Sequence, residues 1–237
     1  MMVFYLLHWV LPVTLINWGF FIPYFYVRNH YKLNYVRYSV PIALYFILGC
    51  FTTFVTYPEI YRAPLIVFPP QGIALVSILL FLLLLVIIDR TQHKLFVSTA
   101  IDDYLITYHG SAFVHLNARF FLPKFFDVLF QQMLVLAAVV GLTTFHMPLL
   151  TLCIIFGLIF LLGHIITLFI NAVRGKSVPL TTGITFCVAS FFAGVIWPYI
   201  LLRVPYGYIY TFITHMGYYI LLGMYTRYTI KKSSITE

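Results

Sequence analysis

Residues 147–172 read MPLLTLCIIFGLIFLLGHIITLFINA, a stretch without a single Asp, Glu, Lys or Arg. Wound into a helix at about 1.5 Å per residue, it exceeds the roughly 30 Å of hydrocarbon in a bilayer. In hydrocarbon each backbone N–H and C=O has to be satisfied within the segment, so a spanning run of this kind is a helix. Further apolar runs lie on either side, near 3–26, 38–57, 69–88, 125–145, 179–202 and 205–226. Seven runs with short links predict an all-α fold, a polytopic transmembrane bundle of about seven helices forming a single domain over 1–237. Phe145, His146 and Met147 leave only a tight turn between the fourth and fifth runs, and Pro69-Pro70 sets the start of the third helix.

Composition narrows the class. Apolar residues make up 62% of the chain and charged residues 8%, against roughly 45–50% and about 25% in soluble domains. The formal net charge is +8, but the basic residues fall between apolar runs and never form a stripe with interleaved aromatics, which excludes nucleic acid as the partner. Membrane lipids with anionic headgroups are the partner this charge suits. Cys50, Cys153 and Cys187 lie inside apolar segments without paired spacing and read as small core residues. The first run has no preceding basic residue and ends in Pro23-Tyr24-Phe25-Tyr26, so it reads as a retained helix of a multi-pass cell-membrane protein.

Cytoplasmic loops carry the excess of Lys and Arg. Of the fourteen such residues, Arg28, Lys32, Arg37, Arg90, Lys94, Arg119, Lys124, Arg174, Lys176, Arg227, Lys231 and Lys232 fall on one side of a seven-helix topology, and Arg62 and Arg203 on the other. This puts the N-terminus outside and the C-terminus in the cytoplasm. Trp9, Trp18, Tyr24, Tyr26, Tyr57, Tyr61, Trp197, Tyr199, Tyr206 and Tyr208 lie near run ends, where amphipathic rings settle at headgroup depth. The longest connection, 89–124, holds Asp102-Asp103, His93, His109 and His115. It reads as a solvated loop, with short strands around His109-Gly110-Ser111 or an amphipathic segment on the membrane as alternatives.

Few strongly polar residues fall inside the runs: His8 and Asn17 in the first, Asp127, Gln131 and Gln132 in the fourth, His164 and Asn171 in the fifth, His215 in the seventh. A central Asp costs at least roughly 2.5–3.5 kcal/mol on insertion scales, so each needs a reason. The topology brings Asp127, Gln131, His164 and His215 toward one layer on the cytoplasmic side of the midplane. Residues four apart share a helix face, which pairs Asp127 with Gln131, Phe160 with His164 and His215 with Tyr219.

These three pairs resemble the motifs of the CAAX-processing and bacteriocin-processing (CPBP) family of intramembrane proteases, over roughly residues 120–226. That family carries Glu-Glu-x-x-x-Arg, then Phe-x-x-x-His, then His-x-x-x-Asn or Asp. Phe160-Leu161-Leu162-Gly163-His164 matches the second motif in full. Phe126-Asp127-Val128-Leu129-Phe130-Gln131 and His215-Met216-Gly217-Tyr218-Tyr219 are similar to the first and third. Phe126 stands in place of the first Glu, Gln131 in place of Arg, and Tyr219 in place of Asn or Asp.

The resemblance implies a divergent endopeptidase acting on a peptide or membrane-protein substrate near the cytoplasmic face. Water would be polarised between Asp127 and His164, the oxyanion held by His215 and Tyr219, and Gln131 would stand in the place of the Arg beside the carboxylate. A metal is left open as an alternative: in place of the oxyanion role, His215 would join Asp127 and His164 as candidate ligands of a divalent ion such as zinc, although HExxH is absent. Two other readings stay open: a non-catalytic scaffold of the same fold that binds membrane partners, and a small transporter with a polar path through Asp127, His164 and His215. The topology itself is directly testable. A reporter fused after Glu237 is expected to report from the cytoplasm and one inserted between Ala63 and Pro64 from outside; the opposite pattern contradicts the assignment.

Overall fold

The computed structural model describes residues 6–31, 37–62, 118–173 and 180–233. Among them every regular element is helical. A π-helical turn, Leu6–Val10, leads into α1 (Leu11–His30), followed by α2 (Ser39–Thr56), the short α3 (Pro58–Arg62), α4 (Ala118–Thr143), α5 (Leu149–Val173), α6 (Leu180–Arg203) and α7 (Gly207–Ser233). Pro12 opens α1, where a missing N–H costs nothing.

Among the described residues four helical stretches are long and apolar enough to cross a bilayer: Leu7–Arg28, Ser39–Thr56, Arg119–Thr143 and Leu149–Phe169. They mark the chain as a membrane protein. Helix α6 is 24 residues long and carries Arg203 at its end, and α7 is rich in Tyr, Thr and Gly, which weaken its apolar signal. The third predicted run, 69–88, and the loop histidines His93, His109 and His115 lie outside the described residues.

Helix α4 is the hub. Of its apolar window 61% is buried, against 6% for α1. Gly49 on α2 lets the Phe130 ring of α4 lie against the α2 backbone, within 3.0 Å of where a Cβ would stand. Phe20, Phe21 and Phe46 complete an aromatic cluster around Phe130, with centroids 5.2–6.1 Å from it. At the other end of α2, Tyr57 stacks on Trp9 at 5.1 Å and the Tyr61 hydroxyl donates to the Met133 carbonyl at 2.7 Å. Tyr24, Tyr57, Tyr61 and Trp197, expected as headgroup anchors, are therefore core residues. A large ring whose hydroxyl finds a backbone carbonyl can be buried without an unpaired polar group.

The tight turn after α4 is present. The His146 N–H bonds the Thr143 carbonyl, His146 takes a positive φ of 52°, and α5 begins at Leu149. Helix α4 starts at Ala118, well before the predicted 125, so Lys124, counted above with a cytoplasmic loop, belongs to the helix and is buried.

Helices α5 and α6 cross at Gly157 and Gly194. A Cβ on Gly194 would stand 2.9 Å from both the Gly157 Cα and the Phe160 Cβ. Close backbone approach of this kind supplies the dispersion contacts that hold helices together in lipid. Beyond it α5 exposes Leu150, Leu158, Leu162 and Phe169, an apolar face suited to acyl chains. Gly194→Ala is expected to lower stability by about 1–3 kcal/mol in detergent unfolding, as overpacking against backbone does. Gly163→Ala, with nothing within 4 Å, is expected to be neutral or to gain up to about 1 kcal/mol of helix propensity.

Candidate functional site

Helix α4 buries an ion pair. The Lys124 ammonium lies 2.7 Å from Asp127 Oδ2, one turn along the helix, and both side chains are enclosed. The Gln131 amide donates to Asp127 Oδ1, also at 2.7 Å. Both carboxylate oxygens are thereby engaged, and the ammonium sits 3.8 Å from the Tyr219 ring centroid, a cation–π contact that ties α4 to α7. The cation beside Asp127 comes from Lys124 on the N-terminal side, while position 131 offers a neutral amide.

Helix α7 contributes His215. Its ring stacks on Tyr219 at 5.4 Å and lies 5.2 Å from Trp197 of α6. Its Nδ1 is 3.0 Å from Nε2 of Gln132, a fully buried residue on α4. With the Gln132 amide turned this way its nitrogen donates, which assigns the acceptor role to Nδ1 and the imidazole proton to Nε2. Gln132 Oε1 is buried and meets no hydrogen-bond donor among the described residues. An unmet buried acceptor costs about 1–3 kcal/mol.

On α5, His164 turns Nδ1 back to the Phe160 carbonyl at 2.7 Å. A carbonyl only accepts, so the proton is on Nδ1 and Nε2 bears the lone pair. The Phe160 ring meets His164 edge-on at 4.6 Å and Trp197 at 5.3 Å, so an aromatic path runs from His164 to His215. Lys124 and His164 both lie within electrostatic reach of His215.

The five predicted site residues thus fall into one connected region: Asp127 with Gln131, Lys124 bridging Asp127 to Tyr219, Tyr219 against His215, and His164 joined through Phe160 and Trp197. The metal expectation fares differently. Among the described residues no three His, Cys, Asp or Glu side chains gather as a metal requires, so Asp127, His164 and His215 do not make a three-ligand set. Asp127 is committed to Lys124 and Gln131, and His164 Nδ1 to its own backbone. Phe126 packs with the aromatic cluster around Phe130.

Three contributors were not among the predicted site residues. Lys124 is signalled by its spacing of three from Asp127, which places the two on one helix face. Gln132 is visible as a polar residue in an apolar run. Trp197 carries no polar signal in the sequence. Outside the region, Asn17 is half-buried and His8 is exposed against Trp9, and for Asn171 only the backbone is described.

Compared with protein-family models, with curated proteins and with solved structures, the chain matches none.

The buried pair makes a clear stability prediction. Lys124→Met leaves an uncompensated carboxylate and is expected to cost about 3–5 kcal/mol in reversible unfolding, while Lys124→Met with Asp127→Leu recovers most of the loss. A double variant as unstable as the single one contradicts the pairing.

Proposed function

We propose that this chain is a divergent CPBP-type intramembrane peptidase that hydrolyses peptide bonds near the cytoplasmic face of the cell membrane. The observation that carries the reading is the complementary pair of imidazoles: His164 with its lone pair on Nε2, and His215 with its proton on Nε2. One is a base and the other a hydrogen-bond donor, the two functions that amide hydrolysis needs from side chains.

In this mechanism His164 Nε2 takes a proton from water as the oxygen attacks the peptide carbonyl carbon. The His215 N–H donates to the oxygen that becomes negative. The tetrahedral intermediate collapses when the C–N bond breaks and the His164 imidazolium returns its proton to the leaving amine, which regenerates neutral His164. Asp127, held by Lys124 and Gln131, anchors the cytoplasmic-side end of α4 and, through Lys124, the ring that stacks on His215. A donor at the oxyanion is worth roughly a hundredfold or more in rate.

The test is cleavage of a panel of membrane-embedded peptides by purified protein in lipid nanodiscs. His164→Ala is expected to reduce kcat at least about 100-fold, as loss of a general base does. Cleavage at the wild-type rate by that variant overturns the assignment.

One observation favours a second reading. With Phe126 in place of the first carboxylate and both Asp127 oxygens engaged, the same fold serves as a non-hydrolytic protein that binds membrane partners. Absence of cleavage across the panel, from protein shown to be folded, selects this reading over the first.

A further inference from the structure

We infer that Gln132 is a positioning residue that fixes the tautomer of His215 and seats a buried water on its own carbonyl oxygen. The side chain is wholly enclosed, yet each end of its amide faces a different demand. Nε2 lies 3.0 Å from His215 Nδ1 and carries only N–H bonds, so it leaves the imidazole neutral with its proton on Nε2. Trp197 and Tyr219 both lie against the His215 ring, at 5.2 and 5.4 Å, and restrict its rotation. The proton on Nε2 is thus directed by packing as well as by hydrogen bonding.

The opposite end, Oε1, is buried with no donor among the described residues. Buried carbonyl oxygens in native proteins are satisfied by protein or by ordered water, and water is the donor small enough for an enclosed site. Placed there, it is hydrogen-bonded to the same amide that orients His215. The catalytic consequence, a donor held toward the oxyanion, rests on the peptidase reading; the tautomer and the water do not.

The experiment is NMR of full-length protein labelled with 15N-histidine in lipid nanodiscs, the His215 resonances being assigned by their loss in His215→Phe. The wild type is expected to carry its one-bond N–H coupling on Nε2, with Nδ1 bare. Gln132→Glu replaces the donor with an acceptor and is expected to move the proton to Nδ1. With 15N-glutamine labelling, magnetisation transfer from water is expected to the Gln132 side-chain amide, whose resonances are assigned by their loss in Gln132→Met.

A wild-type His215 protonated on Nδ1 overturns the inference without recourse to any variant, as does a tautomer unchanged in folded Gln132→Glu. Absence of water transfer to the Gln132 side-chain amide in the wild type overturns the water site. If the chain cleaves peptides, Gln132→Glu lowers kcat at unchanged KM; if it cleaves none, the peptidase reading fails while the tautomer result stands.

Discussion

A polar group inside an apolar helix bundle has to bring its partner with it. Lipid tails supply none and bulk water does not reach that depth, so partners come from the protein or from single enclosed waters, and an unpaired charge there costs several kcal/mol. Much of this protein's architecture around α4 answers that constraint. Asp127 is met by Lys124 and Gln131 on its own helix, so the charge is neutralised within α4. Gln132, one position further on, points to a different face and needs a partner from another helix, which His215 of α7 provides. The first arrangement makes α4 tolerable in the membrane; the second gives α7 its register.

The packing divides accordingly. Helices α2 and α4 lock together around Gly49 and Phe130, and α5 and α6 around Gly157 and Gly194. Helix α7 touches both pairs, through Gln132 and Lys124 on α4 and through Trp197 on α6. Apolar packing in lipid is weakly directional, since tails are as apolar as side chains, and polar contacts between helices add specificity. The His215 ring, bonded to one pair and packed on the other, is the point where the two halves are registered.

How much of this was legible depends on what kind of signal each feature leaves. Hydropathy marked α2, α5 and α6 to within a few residues, because an uninterrupted apolar run has no other stable form in a bilayer. It missed the early start of α4 because Arg119, Pro123 and Lys124 read as loop; a lysine that folds onto Asp127 looks like one that faces solvent. Asp127, Gln131, His164, His215 and Tyr219 were found through spacing and a motif resemblance, and they do lie in one connected region. Their partners are a matter of rotamer and tautomer, which spacing does not encode. Helix phase brings Asp127, His164 and His215 to one layer, but it does not encode that Asp127 is met by Lys124 or that His164 turns to the Phe160 carbonyl. Tyr57 and Trp197 carried the opposite ambiguity, since a ring near a run end serves equally as an anchor or as core.

The central claim is that the contact between α4 and α7 at Gln132 and His215 organises the region. A double-mutant cycle measures it most directly: unfolding free energies of the wild type, Gln132→Leu, His215→Phe and the double variant in bicelles, combined to isolate the pairwise coupling. The account predicts a favourable coupling of about 0.5–1.7 kcal/mol, the range of hydrogen bonds between membrane helices. Additive effects, with no coupling between the two positions, would contradict it.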